Sequence, residues 1–183
     1  MSTTGPTDPT GIGGLTVLAA GDHFVLPRLL GEEVRRATDG AATVRELTLP
    51  WPHTPFGPVG EVIEASGTED ELIAALAGVE VCVTQMAPLT ERVLAACPDL
   101  QLMCVSRGGP VNANLEAATR HGVAVCYAPG RNAVATAEHT LTLLLAAARG
   151  VGDTHTDLRL GCGAATITTT TTAASRSRAR PSA

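Results

Sequence analysis

The residues best suited to chemistry stand in two short loops. Arg107-Gly108-Gly109-Pro110 sets two glycines beside an arginine, and Pro129-Gly130-Arg131-Asn132 sets an amide side chain beside another. Glycine lets the backbone approach a bound group closely, so the amides of Gly108 and Gly109 suit a small carboxylate. Arg107 or Arg131 would add charge. The alternative is a tight turn before Pro110 flanked by solvated arginines. Asn132 is also well placed as the N-cap of the helix that follows it. His23, His53, His121, His139 and His155 read as surface or structural residues. The five cysteines, Cys82, Cys97, Cys104, Cys126 and Cys162, form no close pairs along the sequence, which argues against a disulfide framework or a zinc site. Cys82, Cys104 and Cys126 lie in apolar runs and read as small buried hydrophobes. No metal site is expected.

Both loops need a scaffold, and the flanking sequence supplies one. Leu15–Ala20, Thr43–Leu49, Val79–Thr84, Leu100–Ser106 and Val123–Ala128 read as strands. Between them, Leu26–Ala37, Thr68–Ala77, Thr90–Ala96 and Asn114–His121 read as helices, and the second has a Thr cap and an acidic first turn. Pro50–Pro58 holds four prolines and reads as an irregular surface loop. This alternation predicts a flavodoxin-like, doubly wound parallel sheet of about five strands. Ligands of such sheets bind beyond the carboxyl ends of the strands. Those ends are Gly21-Asp22, Thr84-Gln85-Met86, Arg107-Gly108-Gly109-Pro110 and Pro129-Gly130-Arg131-Asn132. A longer helix follows Asn132, with Val134, Ala137, Leu141, Leu144, Leu145 and Ala148 on one face and Leu143 and Ala147 widening it. So apolar a helix needs cover on more than one side.

Composition agrees with this scaffold. The chain has 183 residues, 44% of them hydrophobic but only 2% aromatic, so its core is aliphatic, as helix-covered parallel sheets require. A net charge of −5 without a basic tract argues against nucleic acid. The lack of a long apolar run or signal peptide predicts a cytoplasmic protein without membrane contact.

From Leu15 to Leu160, and strongly from Leu100 onward, the chain resembles the D-isomer-specific 2-hydroxyacid dehydrogenases, phosphoglycerate dehydrogenase among them. Arg107 to Ala118 is similar to that family's Gly-x-Gly-x-Asp-Asn-x-Asp-Leu-Glu-Ala-Ala element. Arg107 replaces its first Gly, Val111 an Asp and Asn114 the second Asp, while Gly109 and Asn112 keep their type. Cys126 to Asn132 resembles its strand-Pro-x-x-Asn loop, and Thr136-Ala137-Glu138-His139 the start of its long helix. The resemblance implies a substrate domain over 15–131 and an interdomain, dimer-forming helix over 132–150. It implies substrate binding by the Gly108 and Gly109 amides, by Asn132 and by Gln85, and it places Thr136 toward the nicotinamide of NAD or NADP. Glu138 and His139 would serve packing and hydrogen bonding. The reaction implied is hydride transfer between 2-hydroxy and 2-keto acids.

The family's catalytic Arg, Glu and His match no residue of this chain, so no catalytic residue is assigned. No Gly-x-Gly-x-x-Gly follows a strand, and Gly11-Ile12-Gly13-Gly14 precedes the first one. Composition also changes after Leu160: Thr166–Thr172 is nearly all threonine, and no acidic residue follows Asp157. Residues 1–14 and 161–183 are expected to be disordered. A shifted reading frame is the favoured origin of the tail. With one choice of codons, reading from the last base of the Gly161 codon gives Val-Trp-Arg-Gly-Asp-Tyr-Tyr, near the family's Gly-x-Trp-x-Gly-like stretch. The chain then reads as a truncated enzyme, inactive as it stands. The alternatives are a non-catalytic module binding a small carboxylate or a partner, and a pseudo-subunit that pairs through the long helix.

Overall fold

A computed structural model of the chain describes residues 14–161. They fall into two units that part between Arg131 and Asn132. The expected disordered ends, Cys162 and the frame-shifted tail lie outside the described residues, apart from Gly14 and Gly161.

The first unit is built on five parallel strands: β1 (Thr16–Gly21), β2 (Thr43–Thr48), β5 (Val81–Thr84), β6 (Leu102–Val105) and β7 (Ala124–Tyr127). Their order is β2-β1-β5-β6-β7. The chain steps outward from β1 to β2, then returns past β1 and proceeds the other way, which is the flavodoxin-like winding the alternation predicts. Strand periodicity divides the residues between two faces. Leu18, Ala20, Cys82, Met103 and Val105 enter the main core. There they meet Leu72 and Leu76 from α2 (Glu69–Ala75) and its C-cap, Val93 and Leu94 from α3 (Glu91–Ala96), and Ala117 and Ala118 from α4 (Leu115–Arg120). Val17 and Ala19 lie on the other face, where α1 (Pro27–Ala37) packs on β1 and β2. Farther along that face, Val83 and Cys104 are half-buried and Cys126 is exposed. Of the three strand cysteines expected in the core, only Cys82 is buried there, because the other two lie on the α1 face beyond β1 and β2, the strands on which α1 packs.

The helices start where side chains supply their orphan donors. Thr68 accepts from the Glu71 amide while the Glu71 carboxylate accepts from the Thr68 amide, a capping box for α2. Thr90 caps α3 through the Val93 amide, and Asn114 caps α4 through the Ala117 amide.

One element departs from the sequence reading. The Pro50–Pro58 segment is irregular only at first. Its last residues begin β3 (Gly57–Val59), which forms an antiparallel hairpin with β4 (Val62–Ala65). Gly60, at φ 56°, makes the tight turn between them.

The second unit holds α5 (Ala133–Ala148) and α6 (Val151–Arg159), separated by Gly150 in the left-handed region. No residue of α5 is buried, and Leu144 and Leu145 are 62% and 63% exposed. Among the described residues no helix is long and apolar enough to cross a membrane.

The core thiols make stability sensitive to alkali. Burial pushes the Cys82 thiol up to about 12 from an ordinary 9.0. Between those values the unfolded chain releases a proton that the folded chain keeps. Stability therefore falls as pH rises past 9, by about 1.4 kcal/mol per pH unit from this group. Cys97 and Cys104, also raised by burial, add to the slope. The sequence contains no lysine to mask it. Urea titrations from pH 8 to 10 should show a shallower loss in Cys82→Ala than in the parent; equal slopes would refute this account.

Candidate functional site

The carboxyl ends of four strands are level. Ala20 of β1 pairs with Thr84 of β5, Thr84 with Val105 of β6, and Val105 with Tyr127 of β7. The next residue on each strand thus opens a shared rim, which Gln85, Ser106 and Ala128 occupy. Asp22 follows Gly21 at the end of β1.

Thr84 shapes the middle of this rim. Its hydroxyl donates to the Ala20 carbonyl at 2.7 Å and accepts from the Met86 and Ala87 amides at 3.2 and 3.0 Å. A threonine in this arrangement turns the chain sharply at the strand end, and so holds Gln85 at the rim. Gln85 is only 7% exposed, and its Oε1 is buried without a partner. The Ser106 Oγ, on the neighbouring strand, is also buried and unpartnered. Asp22 uses Oδ1 to accept from the Phe24 and Val25 amides, and its Oδ2 is buried without a partner. Unpaired buried polar atoms are costly and rare in folded proteins. Here three of them mark the ends of three adjacent strands, and a fourth, Asn112 Oδ1, lies in the loop after β6.

The glycine loop follows Ser106. Neither the Gly108 nor the Gly109 amide makes a hydrogen bond among the described residues. A Cβ built on either glycine meets no atom within 4 Å, so the fold itself does not demand glycine there. The fold thus leaves two backbone donors uncommitted beside the rim, as carboxylate binding requires.

Arg107 corrects an expectation. Its side chain is only 20% exposed, and its guanidinium forms an ion pair with the Glu64 carboxylate, with a further bond to the Glu64 carbonyl at 3.3 Å. Glu64 sits on the β3–β4 hairpin at φ 51°, a conformation side chains seldom adopt. The charge that Arg107 would lend an anion is therefore already engaged. The arginine ties the hairpin to the rim, assisted by the Ile63 amide donating to the Val111 carbonyl at 3.2 Å. Arg131 is exposed.

Asn112 is a residue that motif reading left without a role. It is fully buried; its Nδ2 donates to the Ala87 carbonyl at 2.8 Å, and its own carbonyl accepts from the Leu89 amide at 2.9 Å. It fastens the loop after β5 to the loop after β6. Asn114 adds an outer tie through Glu61 Oε1 at 2.8 Å. That bond and the Glu91 amide hold the Glu61 carboxyl below its usual range.

Asn132 and Thr136 belong to the second unit. Asn132 occupies the N-cap of α5 but makes no side-chain capping bond, so its amide remains uncommitted by the helix. Its carbonyl accepts from the Thr136 amide at 2.9 Å, and Thr136 is exposed on the first turn. Thus Gln85, Gly108 and Gly109 share one rim, while Asn132 and Thr136 share one helix start.

Beside the rim, Val83, Cys104, Val105, Ser106, Cys126, Tyr127 and Ala128 line a cavity of about 230 Å³. No three metal-ligating side chains meet among the described residues.

Known proteins give this arrangement its relatives. A D-3-phosphoglycerate dehydrogenase of Mycobacterium tuberculosis is 39% identical over 83 residues, which are 45% of this chain and 16% of that protein. The enzyme of the same name from Methanocaldococcus jannaschii is 35% identical over 95 residues, 51% of this chain and 18% of the other. The fold matches a glyoxylate reductase of Paecilomyes thermophila with a TM-score of 0.58 at 17% identity, covering 84% of this chain and 44% of that one. It matches the TT0316 protein of Thermus thermophilus with a TM-score of 0.56 at 26% identity, covering 80% and 41%. The chain thus spans less than half the length of these relatives. The family description "D-isomer specific 2-hydroxyacid dehydrogenase, catalytic domain" fits residues 55–181, which include the rim loops after β5, β6 and β7. With that match covering most of its length, this chain belongs to the D-isomer specific 2-hydroxyacid dehydrogenase family.

Proposed function

We propose that the first unit is the acid-gripping part of an NAD(P)-dependent oxidoreductase that interconverts 2-hydroxy and 2-keto acids. The observation that carries this reading is the pair of unengaged amides at Gly108 and Gly109, next to the orphaned Gln85 Oε1 and Ser106 Oγ. Two amides donating to one carboxylate fix its plane, and charge-assisted bonds of this kind are the stronger ones. Gln85 adds a donor through its Nε2. For Asn132 and Thr136, at the start of the second unit, the family resemblance is what supports roles toward substrate and nicotinamide. Family membership favours this reading over a stand-alone binding module.

The bound nicotinamide would supply the hydride. The residues present fit it only in part, since none of the described strands is followed by a Gly-x-Gly-x-x-Gly turn to cradle its pyrophosphate. A polypeptide of these 183 residues is therefore expected to bind a keto acid without reducing it. NADH oxidation by that polypeptide with glyoxylate or hydroxypyruvate would overturn this expectation.

Binding itself is testable by calorimetric titration with glyoxylate, pyruvate and oxalate. Gly108→Val crowds the amides at a position where an added Cβ meets no other atom within 4 Å, so it should weaken binding roughly tenfold, the loss of about one charge-assisted bond. Unchanged affinity in this variant, or no binding by the parent, would remove the assignment. The apolar, exposed α5 is the surface on which we place a second copy of the chain. A monomer throughout in sedimentation would exclude that pairing.

A further inference from the structure

Cys104 and Cys126 are direct register partners on β6 and β7. Partners in a parallel pair project to the same face, and neighbouring strands run about 4.8 Å apart. Both residues line the cavity beside the rim, with Val83 and Ala128 as apolar neighbours. Cys126 is exposed and Cys104 half-buried, whereas Cys82 and Cys97 are buried. Burial, and next to it the charge of Cys126, hold the Cys104 thiol above its usual range.

We propose that Cys104 and Cys126 form a two-thiol clasp that captures a soft trivalent centre of the arsenical class. Side chains paired across strands about 4.8 Å apart bring both sulfurs within reach of one bridging atom. Thiolate sulfur is soft and selects soft partners over oxygen-seeking ions. With phenylarsine oxide the step balances without an oxidant. Two arsenic–sulfur bonds form, the arsenic–oxygen double bond breaks, and the oxygen leaves as water with the two thiol protons. The clasp does not rest on the keto-acid reading: its two thiols sit on the strand face and not in the glycine loop, although Ser106 borders both places.

The test is intact-mass spectrometry of the folded, full-length chain treated with phenylarsine oxide in excess 2-mercaptoethanol. A monothiol strips arsenic from single cysteines but not from a chelating pair. The parent should retain one arsenical per chain, and 2,3-dimercaptopropanol should remove it. Cys126→Ser and Cys104→Ser should each lose the adduct, while Cys97→Ser and Cys162→Ser should keep it. An adduct that persists in Cys126→Ser, or none in the parent, overturns the proposal. Cys126 is exposed, so Cys126→Ser should keep the parent's circular dichroism, and its result stands even if Cys104→Ser does not fold.

Discussion

Gly21→Ala should destabilise the first unit by at least about 3 kcal/mol, the upper end of what added methyl groups cost in packed sites. Gly21 ends β1, and α1 begins only six residues later, at Pro27. The chain must fold back at once. A Cβ on Gly21 would lie 2.3 Å from the Pro27 nitrogen, 2.4 Å from the Val25 carbonyl oxygen and 2.7 Å from the Pro27 Cα. All three are backbone atoms, so no rotamer change relieves the clash. The turn cannot open freely either. The Asp22 amide donates to the Val25 carbonyl at 2.8 Å, and Asp22 Oδ1 holds the Phe24 and Val25 amides. Opening it would also disturb the Gly21 carbonyl, which accepts from the Leu49 amide at 2.8 Å. The contrast is Gly108→Ala, where the new methyl meets nothing and the change should stay within about 0.5 kcal/mol. Urea unfolding of both variants checks the pair. A Gly21→Ala midpoint close to the parent's would show that the β1–α1 turn yields.

The two glycine sites show what a sequence can and cannot disclose. Alternating apolar runs placed the sheet strands and the intervening helices within a few residues, because the strands carry apolar side chains into the core and each core helix after α1 carries a capping residue. Thr68, Thr90 and Asn114 announce their helices by type and position. The β3–β4 hairpin escaped notice because its first strand has three residues, one of them Pro58, and pairs only locally. Its signal was Val59-Gly60-Glu61-Val62, apolar residues either side of a two-residue turn. Helix α6 escaped because Gly150 interrupts the long helix and Gly152, Thr154 and Thr156 are weak helix formers.

The rim was legible as a place but not as a set of bonds. Strand ends bring Gln85, Gly108 and Gly109 to one edge, which topology alone dictates. Whether Arg107 faces a ligand depends on Glu64, 43 residues away on the hairpin that sequence reading missed. The orphaned oxygens of Asp22, Gln85 and Ser106 likewise depend on what surrounds each side chain in three dimensions. Thr84 was recoverable, since a threonine closing an apolar strand before a polar residue commonly turns the chain.

Asn112 holds this rim together, and Asn112→Asp should be the more informative of its substitutions. The exchange conserves shape but replaces the Nδ2 donor with an oxygen that faces the Ala87 carbonyl, in a fully buried position. At neutral pH a carboxylate there is desolvated and repelled, so the loss should reach about 3 kcal/mol, the range for a buried polar group left unmatched. Asn112→Ala removes the donor without adding charge and should cost less, about 2 kcal/mol. Acid separates the two. The introduced carboxyl, buried without a cation, titrates above its unfolded value, so its protonated form predominates in the fold as pH falls. Once protonated it again donates to Ala87, and the deficit of Asn112→Asp should shrink between pH 7 and 5 while that of Asn112→Ala does not. Local opening should appear first at the Leu89 and Asn114 amides, whose bonds join the loop after β5 to Asn112 and its neighbours. Faster hydrogen exchange at those two amides, with the α1 amides unchanged, is the expected signature. A pH-independent deficit for Asn112→Asp would mean that the bond to Ala87 does not brace the rim.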